Sequence, residues 1–286
     1  MYAFLFIQRI NIIKGKKEGV IDILKVFFLS KRNIAKLFLI TIIIVCTLGV
    51  FGQPILQQTS EALSVLVPGS KLKPIYFVNT QEKKIAISFD ATWGAEYTPK
   101  ILNILEEYNI KTTFFLTNIW LKEYPDAAKT IRMAGHEIGM HSVTHPHFNQ
   151  LSEEQMTYEL QKNKEKIEEV TGFSAKLFRP PFGEYNNKVI QVIESLGYIP
   201  IQWSIDSLDW MEDKSKQDII NRVTKNLHPG AIVLFHNNGR YTADALEEII
   251  QYVYEQGYEI IPISQLIYQD NYFIDHQGAQ RLKKVN

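Results

Sequence analysis

Residues 84–94 read KIAISFDATWG, an alternating apolar run that ends on an acidic residue. Alternation at this period predicts a half-buried β-strand, and such a strand delivers one carboxylate, Asp90, to its C-terminal tip. In parallel α/β folds chemistry collects at that edge, because loops there gather polar groups from several strands around one point. Four later stretches repeat the arrangement. HSVTH (141–145), FRPPFG (178–183), DSLDW (206–210) and LFH (234–236) each follow an apolar run and place His, Arg or Asp just past its end. Any one of them reads equally well as a loop residue capping a strand; the recurrence is what points to a site.

Working outward from 84–90, further strands are expected at 112–117, 136–141, 176–179, 198–205, 231–236 and 259–263. Helical patterns alternate with them at 98–108, 152–170, 187–196, 216–227 and 243–256. The clearest helix opens on a capping box of Ser152 and Gln155 and stops at Gly172. Strands separated by helices argue for a parallel sheet, and polar groups at five or more strand ends favour a barrel over an open doubly wound sheet. No repeat period, P-loop or G-x-G-x-x-G is present, so nucleotide binding has no support.

The 286 residues have the aromatic and charged content of an ordinary globular protein, and Lys plus Arg balances Asp plus Glu at 31 each. That balance offers no bulk attraction for nucleic acid or another polyanion. The only cysteine, Cys46, excludes an intramolecular disulfide. It lies in the apolar run LFLITIIIVCTLGVF (37–51), preceded by Lys25, Lys31, Arg32 and Lys36, with no Lys or Arg again until Lys71. A basic flank stays in the cytoplasm and sends the following chain out. The run is shorter than the roughly 20 residues of a spanning helix, but extended to residue 56 it spans with tilt. No A-x-A site follows, and Val45 is too large for a lipoprotein signal, so an uncleaved anchor is preferred to a cleaved signal peptide. The expected organisation is a basic leader at 1–36, a transmembrane signal anchor at 37–56, a linker at 57–73 and a folded domain at 74–286 outside the cell membrane.

His141 and His145 are separated by three residues; if the loop turns helical, both imidazoles share one face and a metal. The alternative is a His-rich surface loop that His147 extends. Arg179 stands before two prolines and Gly183, which stiffen and turn its loop. It is placed either to hold Asp90 ionised or as a surface cation, and the Phe182 N–H is a candidate oxyanion donor. Asp209 beside His236 would raise the imidazole pKa and make it a general acid, with Trp210 and Leu234 lining a small apolar pocket. Asp206 reads more simply as a strand cap.

In order, SFDATWG, HSVTH, FRPPFG, DSLDW and LFH resemble the five motifs of the polysaccharide deacetylase family, the NodB homology domain of carbohydrate esterase family four. The resemblance implies a distorted (β/α) barrel of seven parallel strands and N-deacetylation of acetylated amino sugars by a metal-bound water. By matching position, Asp90 is the general base tuned by Arg179, and His236 the general acid tuned by Asp209. His141 and His145 are ligands of a divalent metal, expected to be zinc. Trp210 and Leu234 wall the acetyl pocket, and the Phe182 N–H faces the oxyanion. One position departs: the family usually carries two consecutive aspartates in the first motif, the second a metal ligand, and here that position is Ala91. Loss of the anionic ligand lowers metal affinity, and His147, Glu96 and Glu184 are the available substitutes.

FDATWG, LFHNN, the anchor and the tail IYQDNYFIDHQG further resemble the sporulation-associated, PdaB-like branch, which implies a cell-wall or spore-cortex peptidoglycan substrate. Three readings stay open: a membrane-anchored N-deacetylase of peptidoglycan, a glycan-binding homologue that has lost efficient turnover, and an O-acetyl polysaccharide esterase.

Overall fold

The computed structural model describes residues 71–283, so the expected leader and anchor lie outside the described residues. No helix among the described residues is long and apolar enough to cross a membrane. The strands are β1 (Phe77–Val78), β2 (Lys84–Ala91), β3 (Thr113–Leu116), β4 (Glu137–Met140), β5 (Leu177–Phe178), β6 (Ile199–Pro200), β7 (Ile205–Asp206), β8 (Ile232–His236), β9 (Glu259–Ile260), β10 (Tyr272–Ile274) and β11 (Ala279–Leu282). The helices are α1 (Thr98–Glu107), α2 (Asn118–Glu123), α3 (Pro125–Met133), α4 (Glu153–Thr171), α5 (Asn187–Ser195), α6 (Lys216–Thr224), α7 (Thr242–Glu255) and α8 (Ile263–Leu266).

The opening stretch becomes β2, the centre of a parallel sheet ordered β6-β5-β4-β3-β2-β8-β7, with β9 beside its start. The alternation predicts a half-buried strand, yet Ile85 to Ala91 are all buried. Both faces are covered because the sheet curls. Ile85, Ile87, Phe89 and Ala91 join Phe114, Leu116, Ile138 and Phe235 in the layer under the helices. Ala86 joins Phe115, Leu177, Ile201 and Ile232 inside the curl. Ser88 and Asp90, on the same side of the pleat as Ala86, therefore face the interior.

The expected strand at 198–205 forms as two short pieces with different neighbours. Its first end pairs with β5 (Phe178↔Pro200) and its last with β8 (Asp206↔Leu234), both parallel. Residues 201–204 join the two edges of the sheet, so one extended segment brings the curl back on itself. This is the distorted (β/α) barrel, and an open doubly wound sheet is excluded. Ile75 also bridges to Ile201, and Phe77 to Ala231.

The expected capping box at Ser152 is present, and Gly172 ends α4 in a left-handed conformation (φ 68°). α2 and α3 were not expected. The Thr117 side chain caps α2 by accepting from the Trp120 amide, and Pro125 begins α3. The C-terminal tail adds a small sheet, β1-β11-β10.

Candidate active site

Each polar strand end expected from the sequence reaches the C-terminal edge of the curled sheet. Asp90 on β2 is in register with His236 on β8. Arg179, just past β5, is fully buried (0 %), which overturns the surface-cation alternative. Its guanidinium donates Nη1 to Asp90 Oδ1 at 2.7 Å and Nη2 to Ser88 Oγ at 2.9 Å and the Gln202 carbonyl at 3.3 Å. It also lies 4.1 Å from the Phe115 ring centroid. Burial alone would push the Asp90 carboxyl up, but the charge of Arg179, helped by its hydrogen bond, outweighs it and holds the carboxyl below its ordinary range.

The HSVTH loop does not turn helical; Ser142 (φ 79°) and His145 (φ 55°) take left-handed conformations instead. The two imidazoles nevertheless meet, with ring centroids 4.9 Å apart. His141 Nδ1 pairs with the Arg179 carbonyl at 2.8 Å, and its Nε2 stands 3.4 Å from Asp90 Oδ2. Burial pushes both histidines down, His145 to about 3, so both rings are neutral.

Two residues of α4 shape this loop, and sequence reasoning missed them. Asn163 Oδ1 accepts the His141 and Ser142 amides at 2.8 and 3.1 Å, while Nδ2 donates to the Leu116 carbonyl and Asn118 Oδ1. Glu159 accepts the Val143 and Thr144 amides and the Thr144 hydroxyl. The signal available was a pair of polar residues four apart on the stripe that also buries Met156, Leu160 and Ile167.

On the other side, Asp209 Oδ1 pairs with His236 Nδ1 at 2.8 Å, and Oδ2 accepts the His236 amide at 2.8 Å and the Thr242 hydroxyl at 2.5 Å. Burial alone would push the His236 imidazole down; Asp209, through charge and hydrogen bond, with Asp90 and Asp206 behind it, turns this into a net rise. Thr242 is a third missed residue. A side chain at Gly239 would meet it, since a Cβ there would lie 2.2 Å from Thr242 Oγ1 and 2.9 Å from Asp209 Oδ2. Asp206 accepts the Leu208 amide at 2.9 Å, the local cap its sequence suggested.

Asp90, His141, His145, Phe182, Asp209, Trp210, Leu234 and His236 all line one cavity of about 1010 Å³. Leu234 is a buried wall and Trp210 an exposed rim. Phe182 sits in a left-handed turn (φ 58°, ψ 8°) directly after the two prolines. Every site residue expected from the sequence except Arg179, which lies behind Asp90, opens onto this cavity.

Residues 77–201 match the family described as Polysaccharide deacetylase. The chain is 34% identical over 202 residues to the peptidoglycan-N-acetylmuramic acid deacetylase PdaA of Bacillus subtilis, covering 70% of this chain and 77% of that one. The chain belongs to the polysaccharide deacetylase family. Among solved structures, a carbohydrate esterase family 4 pseudoenzyme of Bacillus anthracis superposes with a TM-score of 0.65 at 36% identity, covering 68% of each chain. A mutant of that pseudoenzyme with restored enzymatic activity matches with the same TM-score at 37% identity, covering 68% of this chain and 70% of that one.

The metal implied by the family pattern meets a short donor set. A catalytic zinc is held by about three protein ligands; here two neutral imidazoles are adjacent, and Asp90 is already paired with Arg179. The side chain of Ala91 packs in the layer under the helices, on the face of β2 opposite Asp90. His147 is bonded to Glu184, and neither they nor Glu96 line the cavity. Among the described residues no three His, Cys, Asp or Glu are placed to hold a metal ion. The residues present thus do not fit the expected metal centre.

Proposed function

We propose that the protein removes N-acetyl groups from amino sugars of peptidoglycan. The observation that carries this reading is the placement of Asp90 and His236 at paired register positions, each backed by its own buried partner, Arg179 and Asp209. Asp90 takes a proton from water as the water oxygen bonds to the acetyl carbon. The Phe182 N–H faces the oxygen that becomes negative, and Trp210 and Leu234 bound the acetyl methyl. His236, as imidazolium, passes its proton to the nitrogen as the carbon–nitrogen bond breaks, and acetate and a free amine leave. The peptidoglycan substrate of the relative PdaA supports the choice of polymer. The basic flank before residues 37–56 supports a single-pass anchor with the domain outside the cell membrane, and the tail motifs support a role in sporulation.

A second reading, glycan binding without turnover, is favoured by Ala91 and the short donor set. Incubating the intact chain with peptidoglycan glycan strands and with O-acetylated xylan, each with and without added zinc, separates the readings. The first expects acetate from the glycan strands and little from xylan. Acetate from xylan alone would favour the esterase, and glycan binding with no acetate under any divalent metal would favour the second reading. Protease digestion of intact cells tests the placement, since a domain outside the membrane is cleaved and one inside is protected.

A further inference from the structure

Trp93, the tryptophan of the opening stretch, has no task in the chemistry above. It is 55 % exposed, as Phe182 is 54 %, yet both line the cavity. Exposed aromatic faces at a cleft mark a surface completed by a ligand.

Both rings are held in place by the fold. Beside Trp93, the Gly94 carbonyl accepts from Trp120 Nε1 at 2.6 Å and from Asn237 Nδ2 at 2.7 Å. The loop is thus pinned by two side chains of the surrounding fold while the indole points outward. Phe182 holds a left-handed backbone that a non-glycine residue rarely adopts. Its ring stacks on His147 (4.4 Å, 14°), and His147 is fixed by Glu184 at 3.0 Å. Rings ordered before binding lose little freedom when they bind.

Trp93 and Phe182 also flank the same imidazole. His145 lies 5.1 Å from the Trp93 centroid and 4.5 Å from that of Phe182. An aromatic strip therefore runs from Trp93 across His145 to Phe182, beside the position of Asp90. Asp206, Glu212, Asn238 and Arg240 supply polar atoms elsewhere in the cavity wall. Trp93 and Phe182 both meet His145 edge-on, at 64° and 71°, so each keeps its own exposed surface; a sugar ring has an apolar C–H face and a hydroxyl rim, which matches exposed aromatic surface with polar groups around it.

We propose that Trp93, with Phe182, forms a stacking platform for a second sugar ring of the glycan, next to the ring that carries the reacting acetamide. This rests on the reading that the cleft takes an acetylated glycan. The consequence is selectivity for chain length, with an oligosaccharide held by the strip and a monosaccharide held only at the reacting position.

The test is calorimetric titration of the intact chain with N-acetylchitotetraose and with N-acetylglucosamine. Trp93→Ala is expected to weaken the tetrasaccharide by about tenfold while changing the monosaccharide by less than about twofold, the size of a lost aromatic stack. Trp93→Phe keeps a stacking face and retains most of the affinity, which separates lost stacking from a damaged fold. Met133→Ala, at an exposed residue outside the cavity, leaves both ligands unchanged. A wild-type chain that binds the tetrasaccharide and a Trp93→Ala variant that binds it equally well would overturn the platform and leave the glycan reading intact. Equal loss for both ligands would also overturn it. A wild-type chain that binds neither would overturn both.

Discussion

Arg179 shows how much of the site depends on one side chain. Its guanidinium reaches Asp90, Ser88 and the Gln202 carbonyl at once from a fully buried position. Removing one member of a buried ion pair strands the other charge, at a cost of about 3–5 kcal/mol. Arg179→Ala is therefore expected to lower the urea-unfolding free energy by that amount. Arg179→Lys should recover only part of it, because one ammonium lacks the planar fork that serves several acceptors together. Full recovery with lysine would show that the fork geometry is unimportant. His236 makes a complementary case. Its raised pKa is caused by Asp209, against the opposing effect of burial. An imidazolium favoured in the folded state contributes stability below the unfolded pKa, and that contribution is lost as pH rises through the folded value. Asp209→Asn should move the His236 titration seen by NMR toward acid and shift the alkaline decline in stability the same way. An unmoved His236 resonance would mean that Asp209 does not set its charge.

At the scale of elements, α4 does more than cover the sheet. Asn163 closes four hydrogen bonds that tie the HSVTH loop to the ends of β3 and β4. Asn163→Ala leaves the Ser142 amide and Asn118 Oδ1 without this partner in a buried place, where each unsatisfied group costs roughly 1–3 kcal/mol, while the His141 amide and the Leu116 carbonyl keep each other at 3.2 Å. The expected loss is at least about 2 kcal/mol in urea unfolding, with Asn163→Asp falling between because it keeps the acceptor and lacks the donor. A loss below that of an ordinary surface substitution would show that the loop holds itself. The same helix marks how far the sequence could be read. Its ends were legible because Ser152, Gln155 and Gly172 act locally. α2 and α3 were not, because two short helices abutting at Tyr124 carry no apolar stripe long enough to stand out. The break at 201–204 was hidden for another reason: an extended run looks the same whether it pairs along its length or only at its ends. Asp90, His141, Arg179, Asp209 and His236 could be found as polar residues ending apolar runs, whereas Ser88, Asn163 and Thr242 acquire their roles from partners that only the tertiary fold brings near.

For the whole molecule, the curl of the sheet is what turns separate strand ends into one cavity. β2 delivers Asp90 between β3 and β8, β8 delivers His236 at the paired position, and the segment ending in β7 delivers Asp206 and then Asp209 beside it. The pairs proposed as base and acid, Asp90 with Arg179 and His236 with Asp209, are assembled, while among the described residues the donors for a metal fall short. Activity then turns on whether that half suffices. The most direct measurement is acetate release from N-acetylated peptidoglycan glycan strands by the intact chain, compared with Asp90→Asn, which keeps the shape of the side chain and removes the base. The account predicts release by the wild-type chain and a fall of at least about 100-fold in the variant, the scale of a lost general base. Equal release by both, or none from the wild-type chain while it binds the glycan, would contradict it.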